Sequence, residues 1–158
     1  MTLRNFITIL LLTASYNLIS AQTLQNFVFL NAELSVQMAL TAVQDCQEKG
    51  YNVSAAVMNR EGRLTAFAHN PMASPMTSEI AQGKAYTAAL TQASTTNLGE
   101  IDALAYADGV VQTQGGLPFS AGGCFLGRIG VSGADSATDE ECAQLGIDAV
   151  ADDLEFAE

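Results

Sequence analysis

The chain has 158 residues, 49% of them hydrophobic, and a formal net charge of -11 from 6 basic against 17 acidic residues. This length suits one domain, and the apolar content is enough for a core and argues against general disorder. An acidic surface repels nucleic acid and anionic membranes, so we expect neither as a partner. The few basic residues become candidates for meeting an anionic ligand.

The first 21 residues predict a secretory signal peptide. Arg4 gives a short basic region, residues 6–12 are apolar, and Ser20 and Ala21 are small residues suited to a cleavage site. The apolar run is shorter than the roughly 20 residues of a spanning helix. We therefore expect a protein exported to the periplasm or beyond, with residues 22–158 as a single domain that is not inserted in the membrane. An uncleaved, buried N-terminal helix is the alternative.

Helical periodicity predicts the first helix over residues 34–50. Ser35 is placed to cap it and Gly50 to close it. The apolar face that this spacing predicts consists of Val36, Ala39, Leu40, Val43 and Cys46.

Two pairs of short apolar runs predict hairpins. Residues 53–59 and 63–69 flank a turn containing Gly62, and residues 115–121 and 124–132 flank Gly122-Gly123. Strands joined by such tight turns pair antiparallel.

Helices are predicted between and after the hairpins. Residues 70–76, with two prolines, form a loop, and residues 78–90 form a helix whose small residues suit close packing. That small-residue stripe consists of Ala81, Ala85 and Ala88. A shorter helix is predicted over residues 98–106 and a final one over 136–150. The order is helix, hairpin, helices, hairpin, helix, which indicates an α+β fold with helices packed on an antiparallel sheet.

The three cysteines, Cys46, Cys124 and Cys142, have no zinc-site spacing. In an oxidising compartment at most one disulfide can form within the chain, leaving one thiol. We expect all three to be small buried apolar groups.

The turn after the last strand has two interpretations. Gly130, Ser132 and Gly133 leave little side chain over the backbone just before a helix, and exposed N–H groups there favour an anion. Acidic residues in the first turn of that helix complement its dipole and repel an anion. Local physics therefore favours a packing role, with ligand binding as the alternative.

His69 is the only histidine, and it ends a strand beside a loop. Histidine is a common ligand for metal or haem iron, so His69 is the candidate iron ligand. The alternative is a half-exposed packing residue. Met72 and Met76 follow it and suit soft ligands, pocket walls or simple gap-fillers.

Two basic residues lie in otherwise apolar surroundings. Lys84, in the second predicted helix, and Arg128, in the last strand, are candidates for neutralising a ligand carboxylate. The alternative is that both alkyl stems lie along the surface. Asp152 and Glu155 share a helical face, a weak indication of iron or calcium, although a solvated tail is favoured.

Three blocks of this sequence resemble those of the HbpS/GlcG-like proteins, which are related to the C-terminal domain of PduO-type proteins. The blocks are VSAAVMNREGRLTAFAHNPMA, TSEIAQGKAYTAAL and GGLPFSAGGCFLGRIGVSGADSATDEECAQLG. The resemblance covers residues 34–150. By position, Lys84 and the turn at Gly130–Gly133 match the family best. His69 stands where the family usually has an arginine, and the first helix lacks the histidine through which some members ligate haem.

This resemblance implies an α+β domain that assembles into dimers and octamers. It also implies links to haem, iron, haem degradation, corrinoid metabolism and glycolate use, and in some exported members to a membrane sensor kinase.

Our leading hypothesis is an exported oligomer that binds haem or a related tetrapyrrole, with a role in haem or iron handling or redox-stress sensing. In it, His69 is the axial ligand, Lys84 or Arg128 meets the propionates, and the turn containing Gly130, Ser132 and Gly133 offers backbone donors. One alternative is an enzyme for a small carboxylate that uses Lys84 as an electrophilic or acid–base group. Another is a ligand-free interaction module.

Overall fold

The structure, a computed structural model, describes residues 27–98 and 101–155. The helices are α1 (Ala32–Glu48), α2 (Pro75–Thr91), α3 (Ser136–Asp148) and α4 (Ala151–Glu155), and the strands are β1 (Ser54–Asn59), β2 (Leu64–His69), β3 (Gly116–Ala121) and β4 (Cys124–Ser132). Two short 3-10 helices cover Thr95–Asn97 and Asp102–Tyr106. The predicted signal peptide lies outside the described residues, and none of the helices described is long and apolar enough to cross a bilayer.

The four strands form one antiparallel sheet in the order β2-β1-β4-β3. Ser54 of β1 pairs with His69 on one side and with Ser132 of β4 on the other. Both predicted hairpins are confirmed, and so is the α+β class. The outer strands of the sheet are β2 and β3.

Helices cover the two faces of this sheet unequally. α1 and α3 pack together on one face, where they bury the main core. α2 lies on the other face against β1, β3 and β4, and leaves the same face of β2 uncovered. Among residues 27–98 and 101–155, no helix covers this face of the edge strand β2.

Small residues let α2 approach the sheet closely. Ala81, Ala85 and Ala88 are fully buried, which confirms the predicted stripe. Gly130 lies directly beneath, where an added Cβ would come within 2.5 Å of the Ala85 backbone nitrogen and would also overlap the Ala81 carbonyl. A larger side chain in the alanine stripe, or any side chain at Gly130, would push α2 away from β4.

Helix α1 differs from its prediction in both cap and buried face. Asn31 caps it, its Oδ1 accepting from the Leu34 N–H at 2.8 Å, whereas Ser35 is buried within the first turn. Val36 and Leu40, predicted to be in the core, are 46% and 47% exposed. The buried face is rotated towards α3 and consists of Ser35, Met38, Ala39, Ala42, Val43 and Cys46.

Two other boundaries differ from prediction. α2 begins at Pro75, three residues before the predicted start, because proline fits the first helical turn, where its missing N–H is not needed. The helix predicted over residues 98–106 is described only as the 3-10 helix Asp102–Tyr106. Residues 99 and 100 lie outside the described residues.

Two of the three cysteines form a disulfide. Cys46 of α1 and Cys142 of α3 are bonded, and both are buried. The expectation that all three are small buried groups is wrong for Cys124, which is exposed at the start of β4 beside the hairpin turn.

Replacing Cys46 and Cys142 together by alanine should lower the free energy of unfolding by about 2–5 kcal/mol, because the bond closes a long loop in the unfolded chain. Urea denaturation of the oxidised protein measures this loss. The matched control, Cys124→Ala, should change stability by less than about 0.5 kcal/mol. Equal losses in the two variants would contradict a disulfide between α1 and α3.

Candidate functional site

His69 lies at the end of β2, on the sheet face that α2 leaves open. In this strand Ala66 and Ala68 are buried towards α1, whereas Phe67 and His69 point to the opposite face and are exposed. The alternation follows from the two-residue period of a strand. The edge position of β2 therefore presents the only histidine to solvent.

Hydroxyl groups hold one side of the His69 ring. Its Nδ1 lies 2.8 Å from the Ser54 Oγ and 3.3 Å from the Ser78 Oγ. Ser54 is fully buried and its Oγ is 2.7 Å from the Thr77 Oγ1 in the first turn of α2. Among the described residues Nε2 has no hydrogen-bond partner, so the ring is fixed at one nitrogen and free at the other.

The surface beside the imidazole is partly apolar. The rings of Phe67 and His69 are nearly parallel, 12° apart with centroids at 6.4 Å, and Phe67 is 41% exposed. Met72 and Met76, in the following loop and the first turn of α2, are largely exposed. The interpretation of these methionines as gap-fillers is therefore wrong. We call Phe67, His69 and Ser78 the His69 surface; the buried Ser54 lies beneath it.

Lys84 is buried in an ion pair. Its Nζ lies 2.6 Å from the Asp139 Oδ2, and both side chains are almost completely inaccessible. The Asp139 Oδ1 also accepts from the Ala134 N–H at 2.9 Å. Gly115 leaves the space for this contact, because a Cβ there would lie 2.9 Å from the Lys84 Nζ. The pair therefore links α2 to α3 across the end of the sheet.

Opposing effects act on the Asp139 carboxyl. Burial raises its pKa above the ordinary range, because the charged form loses hydration. The hydrogen bond and positive charge of Lys84 oppose that shift without cancelling it.

Arg128 is also used internally. Its Nε donates to the Ala88 carbonyl at 2.6 Å and its Nη1 donates to the Gly127 carbonyl at 2.7 Å. The guanidinium lies over the Phe125 ring, 3.2 Å from the centroid. Burial lowers its pKa to about 10. The interpretation that Lys84 and Arg128 lie along the surface is wrong for both.

The turn after β4 is only partly covered. Gly130 lies under α2 and Ser132 is buried, whereas Gly133 is exposed although a Cβ there would come within 2.7 Å of the Val53 Cα. The expectation of an uncovered backbone is therefore wrong at Gly130 and Ser132 and holds at Gly133, and the close contacts favour the packing role. Whether Lys84, Arg128 or this turn meets a ligand stays a prediction.

The structure does not gather the predicted residues into one pocket. His69 is at the open edge of the sheet, whereas Lys84 and Arg128 are buried beneath α2. No cluster of three or more potential metal-binding His, Cys, Asp or Glu side chains occurs in residues 27–98 and 101–155. Ser54 and Thr77 were not predicted from the sequence. Pairing the first hairpin about its three-residue turn places Ser54 opposite Ala68, and only the bulge between Val57 and Met58 shifts its partner to His69.

Removing the positive partner of the buried pair should be costly. Lys84→Met leaves the Asp139 carboxyl buried without its partner, and we expect a loss of about 3–5 kcal/mol in the free energy of unfolding at neutral pH. Because the pKa of Asp139 is raised in the fold, ionising it costs stability as the pH rises above the ordinary carboxyl pKa of about 3.9. The loss should therefore be smaller near about pH 4. Denaturant unfolding at the two pH values measures it.

The double variant Lys84→Met/Asp139→Leu is the control, since it removes both charges and keeps the apolar volume. It should recover most of the lost stability. A single variant as stable as the unaltered protein would show that the ion pair does not link the helices.

Comparison with known proteins assigns the chain to a family. Residues 30–148 match the family model described as haem degrading protein HbpS-like. Protein GlcG of Escherichia coli K12 is 28% identical over 110 residues, which span 66% of this chain and 82% of GlcG. A crystal structure of a Streptomyces reticuli HbpS double mutant superposes with a TM-score of 0.74 at 30% identity, covering 80% of this chain and 90% of that one. The crystal structure of a PduOC:Heme complex gives a TM-score of 0.72 at 27% identity, covering 77% and 95%. This chain therefore belongs to the HbpS-like family.

Proposed function

We propose that the protein binds haem or a related tetrapyrrole and that the Nε2 of His69 is an axial ligand of the iron. The observation that carries the proposal is the His69 ring, exposed on the open face of β2, held at Nδ1 by Ser54 and without a protein partner at Nε2 among the described residues. Ligating histidines in proteins generally have their second nitrogen held in this way.

The residues present fit a haem group on its apolar side. The exposed Phe67 ring, which lies beside the imidazole, offers apolar surface to a macrocycle. A haem would supply the iron that accepts the imidazole lone pair; the chain's residues would bind and orient it.

The charged side of the site differs from our sequence hypothesis. All five basic residues of the described part already have partners: Lys49 with Glu141, Arg60 with Phe27, Arg63 with Glu61, Lys84 with Asp139, and Arg128 with two carbonyls. We therefore propose that Lys84 and Arg128, which are buried in internal contacts, do not meet the propionates of a bound haem. Affinity would then depend on the iron–imidazole bond and apolar contact.

The comparisons support a haem ligand over other classes. The family model is described as haem-degrading, and one structural neighbour is a haem complex. The alternative of an enzyme for a small carboxylate required an available Lys84, whose ammonium is held by Asp139. No observation favours that alternative, and we propose haem binding in haem or iron handling or redox sensing.

We also propose that the protein is exported. The disulfide between Cys46 and Cys142 supports this, because such bonds persist in oxidising compartments and are rare in the cytosol. A partner such as a sensor kinase remains a proposal of the family resemblance.

Hemin titration of the purified protein tests the ligand. We expect a shifted Soret band with saturable binding, and we expect His69→Ala to lose that shift because it removes the imidazole. Met72→Leu and Met76→Leu are matched controls, since each removes a soft sulfur beside the His69 surface and keeps the apolar volume.

Three results would contradict the assignment. No Soret shift would remove haem as the ligand, and an unchanged shift in His69→Ala would remove His69 as the axial group. Loss of the shift in a methionine variant, with His69→Ala unaffected, would move the ligand to sulfur.

Self-association is a second proposal, and the exposed face of α1 supports it. Val36 and Leu40 lie one helical turn apart on that face and are about half exposed, beside the part-polar Gln37 and Gln44. Burying this face against a second copy would remove the apolar area from water. We propose that the protein forms homo-oligomers, from dimers up to the octamer that the resemblance implies, and that the exposed face of α1 is one of the contacts.

Leu40→Glu should reduce the assembly to smaller species, because it buries a charge at the proposed contact. Native mass spectrometry and light scattering measure the mass. Leu90→Glu is the matched control, a leucine of similar exposure on α2, and it should leave the mass unchanged. If Leu40→Glu keeps the full mass, α1 is not the contact.

A further inference from the structure

We infer that the neutral form of the His69 ring is held in a single tautomer, with its proton on Nδ1, by a directed chain of hydrogen bonds. The chain runs from Nδ1 through the hydroxyls of Ser54 and Thr77 to the backbone carbonyl of Ser74. Ser54 and Thr77 are therefore positioning residues, because they orient the ring that carries the Nε2 lone pair. The consequence for haem rests on the proposed function, whereas the tautomer itself does not.

The direction is set at the far end of the chain. The Thr77 Oγ1 lies 2.7 Å from the Ser74 carbonyl oxygen, and a carbonyl can only accept a hydrogen bond. The single hydroxyl proton of Thr77 is therefore donated to Ser74. Because a backbone carbonyl has no proton to donate, the direction of this hydrogen bond cannot reverse.

The other two links follow in order. The Ser54 Oγ is 2.7 Å from the Thr77 Oγ1, and because the Thr77 proton is already used, Ser54 must donate to Thr77. Ser54 then has no proton left for the His69 Nδ1 at 2.8 Å, so Nδ1 must donate to Ser54. The opposite tautomer would leave one of these short contacts without a proton.

Burial protects this arrangement from exchange with water. Ser54 is fully buried and Thr77 is 7% exposed, so no solvent molecule replaces either hydroxyl. The Ser78 Oγ lies farther away, 3.3 Å from Nδ1 and 3.5 Å from the Ser54 Oγ, so the shorter Ser54 contact sets the direction.

In the neutral ring, this tautomer leaves an unprotonated Nε2 lone pair on the exposed face of β2. Such a nitrogen binds an electron-pair acceptor, such as a haem iron, and cannot donate a hydrogen bond to an anion. Hydrogen bonding at the opposite nitrogen also raises the basicity of a ligating imidazole. The arrangement therefore selects a metal centre over a carboxylate at this position.

Nitrogen-15 NMR of the full chain tests the tautomer without any ligand. Because the protein has one histidine, the two ring nitrogens are assigned without ambiguity. At mildly alkaline pH, where a histidine ring is ordinarily neutral, we expect the proton on Nδ1. Thr77→Val keeps the shape but removes the acceptor of the Ser54 proton, so Ser54 can donate to Nδ1 and the ring should shift to the Nε2–H form.

Thr77→Ser is the matched control, since it retains the hydroxyl and should retain the Nδ1–H form. Hemin affinity should fall about 10- to 100-fold in Thr77→Val and stay within about 3-fold in Thr77→Ser. Ser54→Ala is a second variant: it removes the acceptor of the Nδ1 proton, and the ring should lose its single tautomer. Amide spectra of each variant check that the fold is intact.

Failure of the tautomer inference and failure of the proposed haem binding give different results. Protonation of Nε2 in the unaltered protein, or an unchanged tautomer in Thr77→Val, would overturn the inference. An Nδ1–H ring in a protein that does not bind hemin would overturn the proposed function and leave the tautomer as inferred.

Discussion

The buried contact between the Lys84 ammonium and the Asp139 carboxylate, 2.6 Å apart, determines how the helices on the two faces of the sheet are held together. Removing a charge from water costs several kcal/mol per ion, so the loss of either partner would leave a buried charge unpaired and destabilise the fold. The same helix α2 carries Thr77 in its first turn against Ser54, which in turn contacts His69.

The two buried basic side chains stabilise the fold and lie apart from the proposed ligand site at His69. Lys84 and Arg128 use their positive charge on a carboxylate and on backbone carbonyls, respectively, inside the protein. The surface is acidic overall, which disfavours anions that would bind by charge alone. The described residues then offer an imidazole beside an aromatic ring, a combination suited to an apolar ligand that carries a metal. The proposed haem site thus depends on coordination and apolar contact rather than on ion pairing.

Strand periodicity and tight turns predicted the four strands, and the spacing of small residues predicted which face of α2 packs on the sheet. Both patterns are local in sequence. The buried face of α1 was predicted wrongly at Val36 and Leu40, because packing against α3 selects the face and three of its buried positions are alanine or serine. The Lys84–Asp139 pair joins residues 55 positions apart, and nothing local distinguishes a buried lysine from a surface one. His69 was predicted as the candidate ligand, but its hydroxyl partners required the strand register.

The central claim is that the single histidine of this chain meets the iron of a bound haem. Protein labelled with nitrogen-15 only at histidine, loaded with hemin in the ferric state, tests it by pulsed electron paramagnetic resonance. We predict a strong coupling between the iron electron spin and one nitrogen-15 nucleus, which is the signature of a directly bonded imidazole. A haem-loaded protein without that coupling would contradict the account, because its iron would be held by some other group.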